Sequence, residues 1–521
     1  MAASSSEIQR KRLFYGICLA LIPTGSSFAL VSNILVQLKQ QFILTNYQVG
    51  LIAGAALWGM AISLLVLGPA LEGFGLKNGA RMAFAGHLVG ITLMISAVTQ
   101  VGNPSAFWIL MLGAATLAVG NGMIEVAGNP LVAALYPEEK TTRLNYFHAF
   151  FPIGIVAGGI AGFLLANYGG SFGNWPFQLG IIYIPILIYG YMVLPQKFPK
   201  TENAEAGLPV REMFRFTLTS PLFLLILICM GIAISLELGP MRWIPAVLQN
   251  AGMHGILVLV WTSGWMVVLR LLAHHFVDRL SPTGMLTVGS VFLFTGLFLL
   301  SFVTGLWTAL GAATLFAWGV AFNFPTIVGL VSERLPRTGS LGIVLTAGVG
   351  LGAAGAIGVP LMGKIADTYL ARALPAEQTE SVLRQVDERF PAYIAEVERV
   401  GAETAGYRAA DIQQALDATR TALAEQQRTG SVQNDATANA LRAISAAPLP
   451  TEPLVGEAAS IVAPAELSGG QRSFRYIAWS AIVLFLVWGM MYLHDRRRGG
   501  YRAERLEHRR ETVPRADAPI A

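Results

Sequence analysis

Charge is what this sequence has least of. Only 13% of its 521 residues are charged, while 54% are hydrophobic and the mean hydropathy is +0.56. A soluble domain carries roughly 25% charged residues, so a water-soluble globular fold is excluded. Cysteine is nearly missing too. Cys18 and Cys229 lie in separate apolar runs, and neither a disulfide framework nor a cysteine metal site is expected. No His-Glu-x-x-His motif or nucleophile constellation sits inside the apolar runs. No metal, cofactor or enzymatic activity is therefore expected. Acidic residues are absent between Glu7 and Glu72, and that gap matters below.

What the chain has is apolar length. A helix needs roughly 20 apolar residues to cross a bilayer. The pattern predicts twelve such helices, near 12–38, 46–70, 81–100, 105–135, 144–168, 176–195, 220–248, 255–277, 284–304, 307–331, 340–368 and 474–494. The first run is too long for a signal-peptide core and lacks a clear cleavage site, so it reads as a retained helix. The expected fold class is an all-α polytopic membrane protein with two pseudo-symmetric six-helix halves. Residues 1–195 form the first half, and 196–219 a charged middle loop. The second half takes 220–370 and the last helix, 474–494. An insertion at 371–473 separates its last two helices, and a basic tail at 495–521 ends the chain.

Lysine and arginine set the orientation. Alternate connecting segments carry Arg10, Lys11 and Arg12; Lys77 and Arg81; Lys140 and Arg143; Lys197, Lys200, Arg211 and Arg215; Arg279; Arg334 and Arg337; and the basic tail. The intervening short loops, "VTQVGNP", "NYGGSFGNWPF", "QNAGMHG" and "VTGLW", carry none; Lys39 is the exception. Both termini are expected in the cytoplasm of a cell whose plasma (or bacterial inner) membrane holds the protein. The insertion then falls outside. From 371 to 470 it has 14 Asp and Glu, 8 Arg and no Lys, a formal −6 that leaves +11 elsewhere in a chain of net +5. Membrane topology accounts for that basic remainder, and no nucleic-acid partner is needed. Val382, Val386 and Phe390, then Ile412, Leu416 and Leu423, predict partial helix. The Ala/Pro-rich "ISAAPLPTEPLVGEAASIVAPAE" reads as a flexible linker.

The halves repeat. "GNGMIEVAGNPLVAALYPEE" near the fourth helix parallels "WGVAFNFPTIVGLVSERLPR" near the tenth, and "GPALEGFG" parallels "HHFVDRLSP". The second pair places Glu72 and Asp278 at one mouth of the molecule, as gating candidates with Arg279. Two halves around a midplane site are a known transporter solution. Asn121, Glu125 and Asn129 are spaced i, i+4, i+8 and share one helix face. A charge at a helix centre costs about 2.5–3.5 kcal/mol on insertion scales and is tolerated in a watery cavity, beside a partner, or protonated. Pro130 frees the Val126 carbonyl beside it. The plainer alternative is a Glu125 paired with an arginine or capped by amides. Asn145 and His148 lie i, i+3, with His148 either a ligand or packed among aromatics. "SLELGPMRW" offers Glu237 and Trp243, a carboxylate and an indole suited to hydroxyls and an apolar ring face; Glu237 could instead pair with Arg242. Asn323 mirrors the fourth helix. Arg270 reads as a gating charge or, preferentially, as a side chain snorkelling to the interface.

These features resemble the major facilitator superfamily. Its loop pattern, Gly-x-x-x-Asp-Arg-x-Gly-Arg, is degenerate in the first half, with Gly68, Glu72 and Gly75 present but Gly73 and Leu76 replacing arginines; Asp278 and Arg279 restore it in the second. More specifically, "GNGMIEVAGNPLV", "RLNYFHAFFPIG" and "FILTNYQVGLIAGA" resemble the fucose–galactose–glucose:proton symporter family. The resemblance places Glu125 at that family's substrate- and proton-linked glutamate, and His148 where a sugar-binding amide is commoner. It also expects a first-helix aspartate, and here Ser32 or Asn33 takes that place. The resemblance thus implies a monomeric carrier of a sugar or similar small polar solute among membrane lipids. Coupling is to protons through Glu125, or to sodium, or absent. A sensor on a transporter scaffold, or a carrier of another polar solute, is the rival reading.

Overall fold

The structure, a computed structural model, describes residues 5–42, 52, 55, 58–101, 103, 105–200, 210–249, 253, 255–401 and 407–504. Among the described residues, ten helices are long and apolar enough to span a membrane, and two shorter apolar helices, Trp58–Ala70 and Leu257–Leu271, complete the twelve. The first span steps at Ala20 between Ser5–Leu19 and Leu21–Phe42. Trp58–Ala70 is the second, and Leu71–Ser96 carries the chain into the third. Ser105–Leu135, Lys140–Tyr168 and the pair Trp175–Gly180 and Tyr183–Val193 are the fourth to sixth. A short helix, Val210–Thr219, leads into the seventh, Pro221–Gln249. The eighth is Gly255–Leu271 and the ninth lies within Ala273–Leu300. Leu306–Val320 and Asn323–Arg334 make the tenth, Gly339–Ala353 and Val359–Ala373 the eleventh, and Ser480–Arg497 the twelfth. We call the side holding both ends of the bundle the terminal face and the opposite side, which carries the insertion, the loop face.

The repeat is visible in backbone detail. Between the second and third spans the chain turns at Gly75, with φ 78°; between the eighth and ninth it turns at Ser281, with φ 61°. Packing repeats with the same offset. A Cβ on Gly90 would lie 2.4 Å from the Leu117 backbone nitrogen, and one on Gly296 would lie 2.3 Å from that of Phe316. In each half a glycine lets two helix backbones touch, which is how membrane helices associate without a hydrophobic driving force. The two turns differ in cost. Gly75 adopts positive φ freely, whereas Ser281, with ψ 164°, occupies a region that is essentially glycine-only and costs about 1–3 kcal/mol. Ser281→Gly should therefore raise the thermal midpoint of purified protein, while Gly75→Ala should lower it. No change from either would show that these turns carry no strain.

The insertion is more ordered than its composition suggests. Ala376–Val400, Ala409–Thr429, Asp435–Ser445 and Pro453–Ala478 are helices around a separate apolar core. Val382, Val386, Phe390, Ile412 and Leu416 are buried in it, and Leu423 packs against it. The stretch expected to be flexible runs from the end of Asp435–Ser445 through a turn into the first half of Pro453–Ala478, the longest of these helices. Its small residues serve contact: a Cβ on Gly469 would lie 2.3 Å from the Ala366 carbonyl oxygen of the eleventh span. Arg442 fixes the junction, donating to Asp367 at 2.9 Å and Glu466 at 2.8 Å.

Candidate substrate site

A cavity lies between the halves. Thr24, Ser27, Phe28, Met60, Asn121, Glu125, His148 and Phe151 line it from the first, second, fourth and fifth spans. Ile234, Glu237, Leu238, Arg270, Phe324 and Leu351 line it from the seventh, eighth, tenth and eleventh. Among the described residues, the third, sixth, ninth and twelfth spans contribute none to the lining.

Arg270 is the centre of the site, and prolines explain why. Its Nη1 donates to the His148 carbonyl at 2.8 Å and its Nε to the Ala321 carbonyl at 2.6 Å. In a regular helix these oxygens would accept from residues 152 and 325. Both are proline and have no N–H. One guanidinium therefore satisfies two carbonyls orphaned by proline, one in each half. Its Nη2 reaches Glu237 Oε1 at 3.4 Å. Arg270 is 2% exposed, so it does not snorkel; each of its three nitrogens donates inside the protein.

A second chain of contacts crosses the first half. Glu125 Oε2 accepts from Asn129 Nδ2 at 2.7 Å, and that amide also reaches the Glu125 carbonyl at 2.9 Å. With its NH2 so used, Asn129 presents Oδ1 to His148 Nε2 at 2.8 Å. The amide geometry thus assigns the Nε2–H tautomer to His148. His148 Nε2 lies 3.7 Å from Glu125 Oε2, and its ring sits edge-on to Phe147 and Phe324. His148 therefore packs among aromatics, as one of its two readings expects, and also borders the cavity. The cavity wall bears two carboxylates, one guanidinium and one imidazole; Arg242 stands behind it over the Phe28 ring, 4.9 Å from the centroid.

Of the residues singled out from sequence, Asn121, Glu125, His148, Glu237 and Arg270 line the cavity. Asn129 lies behind Glu125. Asn145 is turned toward the tenth span, donating to Thr326 Oγ1 at 3.1 Å. Asn323, 2% exposed with its Nδ2 unpartnered, lies at the break in the tenth span, outside the lining. Trp243 is displaced: it packs toward Gly363 of the eleventh span, not into the cavity. Glu237 pairs with Arg270 rather than Arg242. Ser32 and Asn33 lie in the helix Leu21–Phe42 and Glu72 in Leu71–Ser96, but their side chains fall outside the described residues. Sequence reading missed Thr24 and Ser27, which line the first span's share of the wall, and His87. The latter is buried in the third span, bonded to Asn121 Oδ1 at 3.0 Å and to the Tyr189 hydroxyl at 2.9 Å. A lone histidine in an apolar run gives no hint of such partners.

The halves are also latched on the terminal face. Glu333, at the end of the tenth span, accepts from Thr141 N at 3.0 Å and Thr141 Oγ1 at 2.7 Å on the fifth, and from the Tyr501 hydroxyl at 2.6 Å. Burial, and then the Glu333 carboxylate, hold the Tyr501 phenol well above its usual range, so it stays a donor. Arg334 pairs with Asp495 beside it. The expected gate residues Asp278 and Arg279 are exposed and line a neighbouring hollow that Glu333 and Tyr501 also border. Glu333→Ala strands three donors at once. It should shift the protein toward a form open on this face, and Ala133→Cys, 4% exposed in the closed seam, should then react faster with a polar maleimide. An unchanged labelling rate would mean that Glu333 does not hold the seam.

A polytopic helical bundle with its polar site enclosed between two repeats is a membrane transporter. The sequence model of the Major Facilitator Superfamily matches residues 17–359, and the chain belongs to that superfamily. Over 124 residues it is 32% identical to the L-fucose-proton symporter of Escherichia coli (strain K12), covering 24% of this chain and 27% of that one. The chain therefore aligns with about a quarter of that symporter's length. Over 380 residues it is 25% identical to the 3-(3-hydroxy-phenyl)propionate transporter of the same organism, covering 69% and 87%. Among solved structures, the E. coli fucose symporter FucP in its outward conformation shares the fold, with TM-score 0.56 and 19% identity over 68% of this chain and 92% of FucP.

Proposed function

We propose that this protein is a proton-coupled symporter, in a plasma or bacterial inner membrane, for a monosaccharide or a similar small polyhydroxylated solute. The basic terminal face lies in the cytoplasm. The observation that carries the reading is the division of hydrogen-bonding capacity in the cavity. Arg270 has all three of its nitrogens engaged, whereas Glu237 Oε2 is buried with no partner. An unpartnered acceptor calls for a donor, and a hydroxyl is one. Phe28, Phe151 and Phe324 offer apolar faces for the carbon side of a ring. Glu125, bordering the cavity and linked through Asn129 to His148, is the group that carries the proton.

A second reading draws on Arg270 and the same aromatic rings: a small aromatic carboxylate, the kind of solute named for the propionate transporter above. A solute carboxylate would meet the Glu125 and Glu237 carboxyl groups in the same wall, which weighs against it. Competition against a bound radiolabelled sugar separates the two. Neutral polyols that displace the label, with phenylpropionates inert, support the first reading; the reverse order rejects it.

A further inference from the structure

Among the arginines of the insertion, six hold carboxylates: Arg384, Arg389, Arg408, Arg420, Arg428 and Arg442. Arg399, exposed on Ala376–Val400, pairs with no carboxylate among the described residues, and neither do three others, where this region meets the membrane. Arg372 ends the eleventh span, and Arg472 and Arg475 lie on the helix leading into the twelfth. No carboxylate among the described residues pairs with any of them. Arg372 and Arg472 lie over one tyrosine ring, that of Tyr369, at 5.3 and 4.8 Å from its centroid. Tyr369 stacks on Tyr476, centroids 5.1 Å apart and planes 19° apart, with the two hydroxyls hydrogen-bonded. Arg475 lies 4.0 Å from the Phe302 centroid, and its Nε donates to Ser301 Oγ at 3.2 Å.

Two like charges flanking one ring repel each other. Acidic residues are abundant a few turns away, yet none comes here. The cluster is at the level where the bundle meets lipid: Phe302, Trp307 and Trp479 are 52%, 84% and 55% exposed at this end, the pattern of an interfacial aromatic belt. It also breaks the charge asymmetry of the molecule, since the short loops on this face lack Lys and Arg apart from Lys39.

We propose that Arg372, Arg472 and Arg475, with Tyr369 and Tyr476, form a binding site for the phosphate of an acidic phospholipid in the loop-face leaflet. Arg372 and Arg472, held on an aromatic ring, keep their N–H edges free, and Arg475, with Nε and Nη2 turned to Ser301, keeps Nη1; such donors match phosphate oxygens. The exposed Tyr476 supplies a hydroxyl at the same height. A headgroup here would neutralise the cluster and tie the eleventh span and the insertion's last helix to the bilayer. A free phosphate ion shares this chemistry, and the test separates the two.

The experiment uses the full chain in detergent with added phosphatidylglycerol, phosphatidylcholine or inorganic phosphate, reading the thermal midpoint and the lipids retained in native mass spectrometry. The comparison protein is the triple variant Arg372→Gln, Arg472→Gln, Arg475→Gln. Phosphatidylglycerol should raise the parent's midpoint above the phosphatidylcholine value, and the triple variant should lose that increment and retain fewer phosphatidylglycerol molecules. Inorganic phosphate should give no increment. Because the tail arginines of the terminal face also attract acidic lipid, the decisive quantity is the difference between parent and variant. Equal increments and equal lipid counts in both overturn the site; an equal rise with inorganic phosphate overturns its assignment to the membrane. Should the triple variant fail to fold, Arg472→Gln alone should still lower retention.

Discussion

Arg270→Gln should abolish transport and destabilise the protein. Removing one partner of a buried ion pair costs about 3–5 kcal/mol, because the other charge is left uncompensated. Here the loss is wider than a pair: Glu237 loses its cation, and the carbonyls of His148 and Ala321 lose the donor that replaces the missing proline N–H groups. Solute binding should weaken by at least 100-fold, with a lower thermal midpoint. Arg270→Lys keeps the charge, but one ammonium cannot reproduce a planar fork reaching the fifth, seventh and tenth spans. It should fold better than the glutamine variant and still transport poorly. Adding Glu237→Gln to Arg270→Gln removes the stranded charge and should recover stability without recovering transport. A singly substituted Arg270→Gln protein that transports normally would remove Arg270 from the site.

Glu125→Gln separates coupling from binding. Glutamine keeps the size of the side chain and an oxygen to accept from Asn129, but carries no titratable proton. Uptake against a concentration gradient, driven by a pH difference, should fall to the background of empty vesicles. Exchange of labelled for unlabelled solute at zero gradient needs no net proton movement and should persist. Glu125→Ala should damage both, since the Asn129 amide then loses its acceptor at 2.7 Å and an unsatisfied buried donor costs about 1–3 kcal/mol. No acidic residue lies between Glu7 and Glu72, and Glu7, at the very start of the first span, pairs with Lys11, so no carboxylate deeper in that span can take over. Full gradient-driven uptake by the glutamine variant would reduce Glu125 to a hydrogen-bonding role.

The architecture was legible because a bilayer admits few solutions: long apolar runs, Lys and Arg on alternate connections, and paired motifs lead to the twelve spans. The site was legible where periodicity carries it. Glu125 and Asn129 stand one turn apart on one face, and their contact follows from spacing alone. Arg270 was misread because its partners are backbone carbonyls on two other helices, which no side-chain pattern marks. The clue was there in Pro152 and Pro325, each four residues after the carbonyl it frees, but it becomes specific only when the fifth, eighth and tenth spans are brought together. Trp243 misled for the converse reason: an indole near Glu237 in sequence faces a different neighbour once the seventh span is packed. The insertion looked loose because Ala and Pro suggest a linker, whereas its small residues are what let the helix Pro453–Ala478 lie against the eleventh span.

The most direct test is proton movement itself. Purified protein is placed in liposomes holding a pH-sensitive dye, with no ion gradient, and sugar is added outside while labelled uptake is followed in parallel. Coupled entry predicts that the lumen acidifies as sugar enters, that a protonophore erases the pH signal without stopping uptake, and that Glu125→Gln gives no acidification. Uptake of labelled sugar by the parent protein with no change in lumenal pH would contradict proton symport.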